Sequence, residues 1–203
     1  MDKKKNTETE ILKAAKKIFI EHGYAGARMQ AIADEAKINK AMLHYYYRSK
    51  EMLFDKIMEG AIEMMSKQFI DALSGTTPIM TKLKVLINNY TDTIIRNPHI
   101  PIFILHEMAR NRLYFQNKMQ QRLEQNNVFQ NFLLQIAEEQ KKGILRAIPV
   151  PQFMFTVMSL IIFPHIAKPV FSKIFTLEDD IYAQMMEERK EHIYNVLRSA
   201  LML

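Results

Sequence analysis

Residues 29–53, MQAIADEAKINKAMLHYYYRSKEML, constrain this stretch to two short helices joined by a tight turn. Met29, Ile32, Ala33 and Ala36 recur at the i, i+3, i+4, i+7 spacing of one helical face, which predicts a helix over about 28–36. Ile38 stands alone after it, a β-branched residue suited to plug the junction between two helices. Asn39 offers a side-chain oxygen to free helical amides, so the next helix starts at Lys40. In that helix Leu43 and Tyr47 share the packing face, while Lys40, Ala41, His44 and Tyr45 share another. Small Ala41 leaves the backbone free to approach a DNA groove. Ser49 then caps a further helix.

The pattern extends beyond this pair, at fixed spacing, from Thr7 to Phe54. It contains I-L-x-A-A-x-x-x-F at 11–19, Gly23-Tyr24, I-A-x-x-A at 32–36 and S-K-E-x-L at 49–53. Amphipathic helix pairs are common in proteins that never touch DNA, so the periodicity alone is weak evidence. The extended pattern resembles the TetR family of bacterial one-component regulators. Three positions depart from it: Lys37 where the family usually has Gly, Arg28 where Thr or Ser is usual, and His44 where Tyr is commonest. Lys37 must take a turn conformation easier for Gly, yet it adds positive charge beside the DNA.

The resemblance implies an all-α fold of about nine helices. A three-helix DNA-binding domain with a helix-turn-helix occupies 1–48, and a helical ligand-binding and dimerisation domain occupies 49–203. It implies operator double-stranded DNA as a partner, with Arg28, Gln30, Lys40, Ala41, Met42, His44 and Tyr45 at the interface. Lys50, in the Ser-Lys-Glu motif, is expected to anchor a phosphate from the start of the fourth helix.

Charge agrees with that placement. The net charge is +6, and residues 1–54 hold eleven Lys and Arg against seven Asp and Glu, so 11 − 7 = +4 sits in about a quarter of the chain. The absence of cysteine fits a reducing cytoplasm, and the opening MDKKKNTETE is too polar for a signal peptide. Lys3, Lys4 and Lys5 are read as a solvated tail rather than a minor-groove arm. The most apolar run, 153–163, is about half the roughly 20 residues a membrane span requires, which predicts a buried helix and no membrane partner.

Punctuation sets the remaining helices. Thr7 and Glu10 form a capping box, so the first helix is expected to start there and stop at Gly23. A long fourth helix reaches Leu73, before SGTTP. Thr77-Pro78 opens a fifth, and Asn97-Pro98 a sixth that starts late because Pro101 fits only a first turn. A seventh is predicted over 114–142, an eighth from Pro151 to about Phe163, and a ninth over 178–200.

In the C-terminal domain the resemblance carries no residue roles, so the reading rests on composition. Many Met and Phe suit a small apolar effector, with Met64, Met65, Phe69, Tyr90, Phe103, His106 and Phe132 as candidate contacts, although core packing is the default for each. An eighth helix apolar on nearly every side needs more cover than one chain supplies. With the resemblance this implies a homodimer through Phe155, Met158, Ile162, Tyr182, Met185, Met186, Ile193, Val196 and Leu197.

No cofactor, metal or catalysis is expected. His99, His106 and Glu107 lie along one helix, which cannot close a metal site alone, and His165 among apolar neighbours reads as a core histidine. No nucleophile elbow, glycine loop or carboxylate pair organises a reaction. Two competing readings remain: a helical small-molecule-binding protein or enzyme with a vestigial DNA-binding domain, which intact Lys40, Tyr45 and Lys50 oppose, and a sequence-neutral architectural DNA-binder.

Overall fold

Capping residues and prolines set most helix ends close to the positions read from sequence. The computed structural model describes residues 2–124 and 127–202. Ten helices run through them: α1 Asp2–Gly26, α2 Met29–Glu35, α3 Lys40–Tyr46, α4 Lys50–Leu73, α5 Ile79–Arg96, α6 Ile100–Arg110, α7 Arg112–Glu124, α8 Val128–Lys141, α9 Val150–Ile174 and α10 Asp179–Leu201. Among the described residues the one extended pairing is an isolated bridge between Leu145 and Met202. The chain forms two compact units, 1–63 and 64–203. That division falls inside α4, not at residues 48 and 49, and Phe54 of α4 packs edge-on to both Phe19 and Tyr24 of α1.

In the first unit Ile11, Ala15, Phe19, Ile32, Ala33, Leu43 and Leu53 are buried together as the core. The Thr7 capping box does not start α1, because the backbone is already helical from Asp2. The backbone of Lys3, Lys4 and Lys5 is therefore helical rather than a loose tail. Gly23 interrupts the helix as expected, at φ 65° and ψ 175°, but helical structure resumes to Gly26. Lys37 sits at φ 55°, the left-handed turn conformation that Gly adopts without a Cβ penalty.

In the second unit the inner face of α5, Leu83, Leu86, Ile87 and Ile94, is fully buried. It shares one core with Phe132 and Ile136 of α8, Val157 and Ile161 of α9, and Ile193 and Leu197 of α10. The helix expected over 114–142 is two helices. Asn127, at φ 50°, adopts the left-handed conformation that Asn tolerates and stands before α8. This raises the helix count from nine to ten.

The apolar helix differs most. α9 does not end near Phe163 but continues through Pro164 and Pro169 to Ile174, so it is long and apolar enough to cross a membrane by length and composition. Within this one chain it is not fully covered: Phe155, Phe163, Val170 and Ile174 are exposed. Its backbone is nonetheless tied to α10. Pro164 has no N–H to give the Leu160 carbonyl one turn earlier, and Arg189 Nε donates to that oxygen at 3.2 Å. Tyr182 donates its hydroxyl to the Pro164 carbonyl at 2.8 Å. Lys168 pairs with Asp179 at 2.7 Å.

His165 lies beside these cations. Burial, then Arg189 and Lys168, push its imidazole pKa down to about 4 from the usual 6.5. A depressed pKa means the neutral ring contributes full stability above pH 6.5 and loses it as pH falls toward 4. Partial exposure reduces the effect, which we expect to be about 1–2 kcal/mol. Urea unfolding at pH 7.5 and pH 5.0 checks this: wild type should weaken at pH 5.0, and His165→Gln should remove that part of the difference.

Candidate nucleic-acid interface

The turn between α2 and α3 exists because each helix end is satisfied locally. Asn39 Oδ1 accepts from the Met42 amide at 2.7 Å and starts α3. The Ile38 amide donates to the Ala33 carbonyl at 3.0 Å, holding the chain against the end of α2. Leu43 and Tyr47 point inward and are buried. The Tyr47 hydroxyl donates to Glu8 Oε1 of α1 at 3.0 Å, and burial with this carboxylate raises the phenol pKa, keeping it a neutral donor.

The outer side of α3 is open. Lys40, Ala41, Met42, His44 and Tyr45 are all exposed, and so are Arg28 and Gln30 of the preceding segment. Tyr45 is 72% exposed, a large aromatic left in water by a helix only seven residues long. Its ring meets Tyr46 edge-on at 5.5 Å. His44 Nδ1 lies 3.2 Å from the Arg48 carbonyl, which orients the imidazole at the end of α3. Gln30 donates to Asp34 Oδ1 at 2.8 Å along α2. These sequence-selected residues are thus all exposed, cationic, aromatic and amide groups at the start of α2 and, around a small alanine, on α3. That is the side-chain chemistry which contacts phosphates and base edges.

Lys50 is placed differently. Its ammonium donates to the carbonyls of Tyr24, Ala25 and Ala27 at 2.8, 3.5 and 3.1 Å, and lies 4.6 Å from the centre of the Tyr24 ring. Three donors meet three carbonyls, so the cation satisfies the end of α1 after the Gly23 break. Ser49 Oγ accepts from the Met52 amide at 3.1 Å and caps α4 itself. Sequence reasoning missed this tether because the partners are backbone atoms more than twenty residues away.

The C-terminal candidates scatter. Met65, Tyr90 and Phe132 belong to the core, Phe132 with no exposed surface, while His106 is exposed and Met64 half-exposed. They do not line the cleft that lies among α6, α7 and α8. The dimer candidates also divide. Tyr182, Met186, Ile193 and Leu197 are buried within the chain, because α5 and α9 cover that side of α10. Phe155, Met185 and Val196 remain exposed, and Met158 and Ile162 are partly buried. His99 precedes α6 instead of lying on it.

Comparison with known proteins agrees with the geometry of the first unit. Residues 11–57 match the family described as bacterial regulatory proteins, tetR family. A protein of Bacillus subtilis strain 168 named "Probable HTH-type transcriptional regulator YttP" is 22% identical over 97% of this chain and 96% of its own. The HTH-type transcriptional repressor NicS of Pseudomonas putida is 29% identical over 53% of this chain and 51% of its own. Among solved structures, AibR in complex with isovaleryl coenzyme A and operator DNA superposes with a TM-score of 0.63 at 20% identity, covering 78% of this chain and 85% of that one. The matched residues begin at the first core position of α1 and end in α4, enclosing the exposed residues from Arg28 to Tyr45. Residues 11–57 thus carry the DNA-binding module of the bacterial regulatory proteins of the tetR family.

Proposed function

We infer that the protein is a cytoplasmic homodimeric repressor that reads a palindromic operator with α3 and leaves it when an effector fills the C-terminal unit. The exposed side of α3, backed by buried Leu43 and Tyr47, carries this reading. A single seven-residue helix makes too few base contacts for operator specificity, whereas two related by symmetry read two half-sites. The open apolar faces of α9 and α10 support the dimer, and NicS, a repressor by name, supports the sign of regulation. For release, the effector must bind better to a conformation whose reading helices no longer match successive major grooves. No enzymatic role enters this reading, since the site chemistry is that of contact and not of reaction.

Selection from random duplexes tests the interface. Tyr45→Ala and Lys40→Ala should each change the preferred sequence and cost about 1–3 kcal/mol at the operator. Recovery of the wild-type motif by both variants would remove α3 from base reading. Lys50→Ala should weaken every duplex alike with the salt slope unchanged, because its N–H groups are used inside the protein. A slope lower by about one ion would return Lys50 to phosphate binding.

A further inference from the structure

α6, α7 and α8 border an open cleft of about 720 Å³, within the roughly 300–1,000 Å³ typical of small-molecule sites. Its lining divides by chemistry. Met108, Phe115, Met119 and Phe129 form an apolar wall, and Phe69 of α4 stands behind Phe129 with 6.3 Å between ring centres. Gln116, Asn117, Gln120 and Gln130 bring primary amides to the same space. A smaller recess adjoins along α7 and shares Asn117, Gln120 and Glu124. Among the described residues Glu124 is the one charged residue on either lining, and its Oε1 already accepts from Gln120 at 2.7 Å. No described residue of either lining is Lys, Arg or His.

We propose that this cleft is the effector site and that it takes an uncharged amphiphile, an apolar ring or chain with carbonyl, amide or hydroxyl groups on one edge. The proposal rests on the regulator reading above and refines the substantially apolar effector expected from composition. Primary amides donate and accept together, so they pair with neutral polar groups of either kind. A carboxylate or phosphate entering the cleft would lose hydration with no cation to replace it, and would meet Glu124 as a like charge. The same chemistry separates this cleft from a site for a coenzyme A thioester, whose phosphates call for cations.

A matched pair of probes tests it: 1-naphthylacetamide and 1-naphthylacetate share one apolar body and differ in charge. With the full-length protein at pH 7.5, ligand-observed NMR titration should show the amide binding at least tenfold tighter than the acetate. Gln116 and Gln120 are exposed, so a Gln116→Leu/Gln120→Leu variant should stay folded and lose at least fivefold of the amide's affinity. Glu124→Lys should shift preference toward the acetate. Equal affinities, no amide binding at millimolar concentration, or an unaltered amide Kd in the double variant overturns the assignment. Operator release is measured apart from binding. Selective binding that never releases DNA upholds the cleft as a site and contradicts the regulator reading. Release by the amide that persists undiminished in the double variant contradicts the cleft and upholds the reading.

Discussion

Val196→Glu is expected to split the homodimer and reduce operator affinity roughly a thousandfold, toward the level of sequence-neutral binding. Val196 is 40% exposed in the chain and lies on the outer side of α10, while Phe155 on α9 is 70% exposed. Phe163, Phe171 and Phe175 extend the apolar surface, with Phe171 and Phe175 stacked at 5.8 Å. A monomer rarely leaves so many large apolar side chains in water unless another surface covers them. In a twofold contact each substitution occurs twice, and an unpaired buried carboxylate costs several kcal/mol. The neighbouring position provides the control. Leu197 is 1% exposed and packs in the core, so Leu197→Glu should unfold the second unit rather than yield a folded monomer. Sedimentation and circular dichroism separate the two outcomes. Wild-type protein sedimenting at 23.9 kDa at micromolar concentration would exclude the dimer altogether.

The contrast between Val196 and Leu197 shows where sequence reasoning loses resolution. A helical stripe identifies an apolar face, but not whether that face meets its own chain or a second one. Tyr182, Met186, Ile193 and Leu197 meet their own chain, Met185 and Val196 stay exposed, and all lie on one 23-residue helix. The DNA-binding unit was more legible because its determinants are local. Asn39 caps the helix that it precedes, Lys37 supplies the turn beside it, and burial of Leu43 follows from period alone. The Lys50 contacts were illegible for the opposite reason: its motif is local, but the carbonyls it binds are at the end of α1. The effector candidates scatter on another ground. Met65 and Phe132 are apolar and flexible or large, and those properties suit a core as well as a pocket. The amides of α7, on which the cleft proposal rests, count in composition only as polar residues.

The polar network under α5 was likewise illegible, and removing its centre should be the most destabilising single change outside the apolar core. Pro78 precedes α5 with no side-chain cap, so the Ile79 amide at the start of the helix needs a partner from elsewhere. Glu139, buried on α8, supplies one across sixty residues: its Oε1 and Oε2 lie 3.1 and 3.4 Å from the Ile79 amide. The carboxylate also meets the positive end of the helix dipole. Gln135 donates to Glu139 at 2.8 Å and to the Thr77 carbonyl at 2.7 Å. Lys82, 2% exposed, donates to the Gly75 carbonyl at 2.7 Å and to Gln135 Oε1 at 2.6 Å. Burial lowers the Lys82 pKa while Glu139 raises it, so the ammonium depends on that carboxylate for charge compensation. Glu139→Leu should cost about 3–5 kcal/mol, since it strands a buried cation and an uncapped amide together. Glu139→Gln keeps an acceptor for Ile79 and should cost less, about 1–2 kcal/mol. Lys82→Met in the Glu139→Leu background should recover part of the loss, because it removes the stranded charge at similar volume. Urea unfolding of the four proteins measures each step. A Glu139→Leu cost below about 1 kcal/mol, or no recovery by Lys82→Met, would show that solvent already reaches the ammonium and that Glu139 acts as a cap alone.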